Sequence, residues 1–127
     1  MPLYAGIFLF TSFASIGLPG LNGFVGEFMI LMGSFPSFKI LSSIAAFGVV
    51  LAAIYMLWAY QRIFNGQLNN DENAVLTDLN SKELVAVGPL LILMLFIGVY
   101  PSFVESYIVN DVSIIYDAIN SLSGVLE

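Results

Sequence analysis

Glu27 is the only charged residue among the first 38, and the apolar run that carries it is interrupted just upstream by Gly17-Leu18-Pro19-Gly20-Leu21-Asn22-Gly23. A carboxylate at bilayer depth, beside a helix that cannot stay helical, is the usual physical signature of an ion or proton path. Glu27 is therefore the candidate proton-translocating residue. Gly17, Pro19, Gly20, Asn22 and Gly23 are the candidate lining of the path. The competing structural reading makes Glu27 an interfacial or purely packing carboxylate. Its side chain is short and it lies about two turns before Pro36, so direct contact with bulk water would be awkward.

The remaining residue types exclude more chemistry than they suggest. With no Cys and no His, the chain can form no disulfide, no thiolate or imidazole metal site, no Cys nucleophile and no His general base. Neither a metal site nor a catalytic centre is expected, and no iron–sulfur or haem group of its own. Gly17, Gly20, Gly23 and Gly26 recur every third residue, but the order G-x-G-x-x-G is absent and no strand precedes them, which argues against nucleotide binding. Close helix approach is the better second role for such glycines. Asp71, Glu72 and Asp78 are too loosely spaced for a calcium loop and read as a solvated connection. Arg62 and Lys82 read as membrane-interface anchors. A net charge of −6 with only three basic residues makes nucleic acid an implausible partner.

Composition says what must hold these residues in place. At 59% hydrophobic and 9% charged residues, with a mean hydropathy of +0.95, the chain is too apolar for a soluble domain and belongs in a lipid bilayer. The expected fold is an all-α membrane protein with three transmembrane helices, the first discontinuous, followed by a C-terminal interfacial amphipathic helix. The bundle is expected over 1–104. Its helices run over about 3–35, broken at 17–23, then 40–64 and 83–101, with a polar loop at 65–82. An unbroken helix over 3–35 would run on the order of 50 Å, well beyond the roughly 30 Å hydrocarbon core. Pro19 and the surrounding glycines supply the break. The first apolar run is too long for a secretory leader and Met1-Pro2-Leu3 lacks a basic flank, so it is expected to stay in the membrane.

Pro36 is expected to turn the chain outside the membrane and to bias Phe35 away from helix. Pro89 is an expected kink. Over 105–127 the pattern becomes amphipathic, with Val104, Ile108, Val112, Ile115, Ile119 and Leu122 on one face. The opposite face carries acids and no Lys or Arg, so anionic lipid should repel it and a protein partner suits it better. Arg62 and Lys82 against the lone Lys39 vote for a cytoplasmic loop at 65–82 and a periplasmic C-terminus.

Read as a unit, Ala14-Ser15-Ile16-Gly17-Leu18-Pro19-Gly20-Leu21-Asn22-Gly23-Phe24-Val25-Gly26-Glu27-Phe28 resembles the broken twelfth helix of the antiporter-like subunits of respiratory complex I. The run Tyr55-Met56-Leu57-Trp58-Ala59-Tyr60-Gln61-Arg62-Ile63-Phe64-Asn65-Gly66 resembles the next helix and its cytoplasmic end. The third apolar stretch resembles the last helix, and the tail fits the family's C-terminus. Glutamate at position 27 points to one branch of the family, since the sister subunits usually carry lysine there.

The resemblance implies a membrane-arm subunit of a proton-pumping NADH–quinone oxidoreductase, in which Glu27 belongs to an outlet half-channel and the break is the family's unwound segment. It also implies that NADH, FMN, iron–sulfur clusters and quinone sit on other subunits. The partners it implies are those membrane-arm subunits, the bilayer, and the earlier helices of the same subunit. The bacterial inner membrane is the implied location. The sequence departs from the family pattern in lacking the first repeat and the other relay residues, and so looks like the final three helices of a larger protein. A homologous subunit of a sodium/proton antiporter or membrane-bound hydrogenase is the near alternative. A structural membrane module with no translocation role is the more distant one.

Overall fold

A computed structural model describes residues 1–67 and 76–123, with the side chains of 122 and 123 excepted. Asp71, Glu72, the Leu122 side chain and the last four residues lie outside the described residues. Five helices follow in order: α1 (Pro2–Ile16), α2 (Asn22–Ser34), α3 (Lys39–Phe64), α4 (Ser81–Val99) and α5 (Ser102–Ser123). Among the described residues there is no strand. Two helices, α3 and α4, are long and apolar enough to cross a membrane, with hydropathies of 2.3 and 2.1. Among the described residues almost none of either is buried, so both present long exposed apolar surfaces. α1 is apolar but only 15 residues long.

The first apolar stretch stops at Ile16 and resumes at Asn22, so Asn22 is the first residue of α2 rather than part of the opened segment. α2 packs on α1, α3 and α4, and α1 packs on α3. Tyr4 and Phe8 of α1 meet Tyr60 and Phe64 of α3 in a ring cluster with centroids 5.0–6.4 Å apart, which seats the start of α1 beside the end of α3. Arg62 lies over Trp58 at 5.3 Å, a cation–π contact in the position of an interface anchor. At the opposite end of α3, the Ser42 hydroxyl bonds to that of Ser34 on α2 at 3.0 Å.

Two details differ from the sequence reading. Phe35 precedes proline yet has φ −58° and ψ −42°, a right-handed helical conformation. The Phe35 amide donates to the Leu31 carbonyl at 3.0 Å, so the helical hydrogen bonding of α2 extends onto it against that steric bias. α4 begins at Ser81 instead of 83, because Asn80 and Glu83 form a reciprocal capping box: the Asn80 amide donates to Glu83 at 2.8 Å and the Asn80 side chain accepts from the first turn. Ser81 and Lys82 thus belong to helix, not to the polar loop. α4 continues as one helix through Pro89 to Val99.

Asp78 ties the loop before α4 to the start of α1. Its carboxylate accepts from the amides of Leu3 at 2.8 Å, Tyr4 at 3.0 Å and Leu79 at 2.9 Å, and so serves two orphan donors of α1's first turn from 74 and 75 residues away. Desolvation pushes the Asp78 carboxyl upward, but the amide donors of Leu3, Tyr4 and Leu79 oppose it and the group lies below its ordinary 3.8. A depressed carboxylate stabilises above its unfolded value and loses that contribution as pH falls through the lower folded value. Amide-exchange protection of Leu3 and Tyr4 is therefore expected to be constant at neutral pH and to fall as pH drops below about 4. Asp78→Asn should weaken that protection at neutral pH and remove its acid dependence.

α5 follows α4 after Tyr100-Pro101, and Phe103 packs edge-on against Phe96 at 5.7 Å. Beyond that hinge its apolar stripe stands open, with Ile108, Val112, Ile115 and Ile119 each more than half exposed.

Candidate functional site

The site begins where α1 can no longer continue. Gly17 adopts φ 77° and ψ 42°, the left-handed conformation that an L-residue enters only with strain. The Leu18 amide then reaches back to the Phe13 carbonyl at 3.0 Å and the Gly17 amide to Ala14 at 3.4 Å, the paired bonds of a Schellman helix end. Leu18-Pro19-Gly20-Leu21 follows as a type II turn, closed by the Leu21 amide on the Leu18 carbonyl at 3.1 Å. Proline pre-sets the second position of such a turn, and the third requires positive φ, which Gly20 supplies at 95°. Pro19 and the two glycines thus open the chain in a defined geometry.

One side of the opened segment is covered by protein, while Leu18 and Pro19 are exposed. Leu21, Ala14 and Ser12 are among the most buried residues of the chain, at 2–5% exposed, and all three flank the break. Unpaired backbone at membrane depth is tolerated only where protein or trapped water covers it. Two glycines permit the cover. A Cβ on Gly23 would strike the Ala14 carbonyl, so α2 leans directly on α1 backbone. A Cβ on Gly98 of α4 would strike the Gly20 carbonyl and the Leu21 backbone, so α4 sits on the turn itself.

Glu27 is one helical turn beyond Gly23 on the same face of α2, and that face meets α1. Its carboxyl group lies against Gly17, where any Cβ would collide with it. Glu27 is partly buried, and no described residue donates a hydrogen bond to it. It therefore stands at the carbonyl-rich end of α1, which offers acceptors and no cation. Such a carboxyl group can hold a proton and pass it on, provided water or a donor from outside the chain reaches it. Asn22 adds a second group without a partner: its Oδ1 is buried, and no described residue bonds to it. A buried acceptor left alone costs about 1–3 kcal/mol, so Asn22 likewise calls for a donor.

The structure thus brings Gly17, Pro19, Gly20, Asn22, Gly23 and Glu27 into one small region. Gly98 was not singled out by sequence reasoning. Its only sequence signal is a small residue in an apolar helix, which Gly88 shares, although a Cβ on Gly88 would meet nothing within 4 Å.

No protein-family profile matches the chain. Individual proteins do. NADH-quinone oxidoreductase subunit M of Rhodobacter capsulatus is 42% identical over 108 residues, covering 85% of this chain and 21% of that protein. NADH-ubiquinone oxidoreductase chain 4 of Arabidopsis thaliana is 40% identical over 101 residues, with 80% and 20% covered. Subunit M of Mycobacterium tuberculosis is 39% identical over 100 residues, with 79% and 18% covered. The chain spans about a fifth of the length of the curated relatives it matches. With a broken apolar helix carrying an acid at its opened end, and with identity of this level over four fifths of its residues, the chain belongs to the family of NADH-quinone oxidoreductase subunit M and its counterpart, chain 4.

Proposed function

We propose that this chain forms part of the proton-translocating membrane arm of an NADH–quinone oxidoreductase, and that Glu27 with the opened segment beside it provides part of a proton outlet half-channel. The observation that carries the reading is the placement of the Glu27 carboxyl group against Gly17, at the point where α1 unwinds and where no described residue neutralises it. A proton relay needs a titratable group, acceptors nearby and room for water, and those are what a break of this kind supplies. α1 and α2 together make one broken pass across the membrane, with α3 and α4 as the second and third. α5 lies at the periplasmic surface against a protein partner, and the loop before α4 faces the cytoplasm of a bacterial cell.

On this reading the chain binds no cofactor. NADH, FMN, iron–sulfur clusters and quinone are held by other subunits, and the helices missing relative to the longer relatives supply the remainder of the relay. The test is Glu27→Gln in the assembled complex, read as protons translocated per electron. Impaired translocation with assembly preserved supports the reading, and an unchanged ratio removes it.

A further inference from the structure

We propose that Gly98 is a positioning residue for the break: by lacking a side chain it lets the α4 backbone seat on the Gly20 carbonyl and Leu21, and that seat fixes the turn from which Glu27 is presented. The inference rests on the proposed role of Glu27, but its geometry is independent of that role. The three atoms nearest to a Cβ on Gly98 all belong to backbone, namely the Gly20 oxygen and the carbonyl and α carbons of Leu21. A flexible side chain can swing aside, whereas here the turn itself must move. The turn is restrained by Pro19, whose ring fixes φ, and by the Leu21 amide bonded to the Leu18 carbonyl at 3.1 Å, so the movement is passed on to Leu21. Leu21 is 4% exposed and is the residue from which α2 starts, so displacing it displaces the first turn of α2. Glu27 is carried by the next turn of the same short helix. A shift of the α2 start relative to α1 therefore moves the carboxyl group off Gly17.

Gly88 provides the internal control. It lies on the same helix, ten residues earlier, and a Cβ there meets nothing within 4 Å of it. Both substitutions replace glycine with the better helix former, Gly88 in the interior of α4 and Gly98 in its last turn, so helix propensity weakens neither variant. Any difference between them reports the seat on the break.

The experiment compares Gly98→Ala and Gly88→Ala in the whole complex in native membranes, with two readouts. The first is the proton-to-electron ratio. The second is the rate at which a water-soluble thiol reagent labels Leu18→Cys, a position on the turn that is 44% exposed in a chain with no cysteine of its own. Gly98→Ala is expected to lower the ratio by at least a third while NADH oxidation continues, and to change the labelling rate at position 18 several-fold. Gly88→Ala should change neither. An unaltered ratio and labelling rate in Gly98→Ala would overturn the proposal, while Glu27→Gln separately decides the underlying reading. A changed labelling rate with a normal ratio would also overturn it, since the turn would have moved without consequence for Glu27. Absence of assembled complex in Gly98→Ala alone makes Gly98 a folding residue and counts against the positioning role.

Discussion

Glu27→Gln is expected to slow proton passage through this chain by on the order of 100-fold or more while leaving the complex assembled, because a positioned acid or base contributes roughly 10²–10⁴-fold to proton transfer. Glutamine keeps the length of the side chain and both hydrogen-bonding positions, so packing against Gly17 is retained and only titration is lost. The measurement is acidification of inverted membrane vesicles followed alongside NADH oxidation, with complex content checked on native gels. Two further substitutions separate titration from placement. Glu27→Asp keeps the acid but withdraws the carboxyl group by about one bond length from Gly17, and should give an intermediate ratio. Gly17→Ala keeps Glu27 but places a methyl group where its carboxyl group lies, at a φ of 77° that costs alanine roughly 1–2 kcal/mol. It should resemble Glu27→Asp in pumping while lowering thermal stability. Full pumping in Glu27→Gln would leave the packing reading of this residue as the better one.

How much of this was legible in the sequence depends on how local the cause is. Pro19 and the glycines around it act within four residues, and the interval 17–23 contains the observed opening at Gly17–Leu21. The reason for each glycine was not legible. Four of them recur at a spacing of three, yet Gly17 and Gly20 are needed for positive φ, Gly23 for close approach to Ala14, and a Cβ on Gly26 would meet nothing within 4 Å. The sequence shows identical residues, while the distinction lies in what packs against them.

Gly98 and Asp78 sit further along the same gradient. Each acts on residues 74 to 78 positions away, and no periodicity or motif encodes such a contact. The capping box of Asn80 and Glu83 was local and could have been read from the spacing alone, which would have placed the start of α4 correctly. The apolar stripe of α5 was visible as a pattern of threes and fours, whereas its cover was not, since no described residue covers it.

The tightest of these contacts should also be the least tolerant. Gly23→Val is expected to reduce assembled complex to a small fraction of the unsubstituted level, with Gly23→Ala intermediate. The cause is the approach of α2 to α1, since the first added carbon would already overlap the Ala14 carbonyl and lies 3.7 Å from the Gly17 α carbon. Valine adds two methyl groups to that overlap, and forcing extra carbon into a closed contact costs about 1–3 kcal/mol even where side chains can adjust. Here the obstacle is backbone in the last turn of α1, so the adjustment must come from moving one helix off the other. That movement would expose the opened turn and strip Leu21 and Ala14 of their cover, leaving unpaired backbone facing hydrocarbon. Gly26→Val is the matched control, because it carries the same β-branched penalty three residues further along the same helix with no overlap inside the chain. Quantifying both variants on native gels of solubilised membranes isolates the close approach from helix propensity. Equal yields of the two would mean that α1 and α2 are not held together at Gly23, and that Glu27 owes its position to something other than this contact.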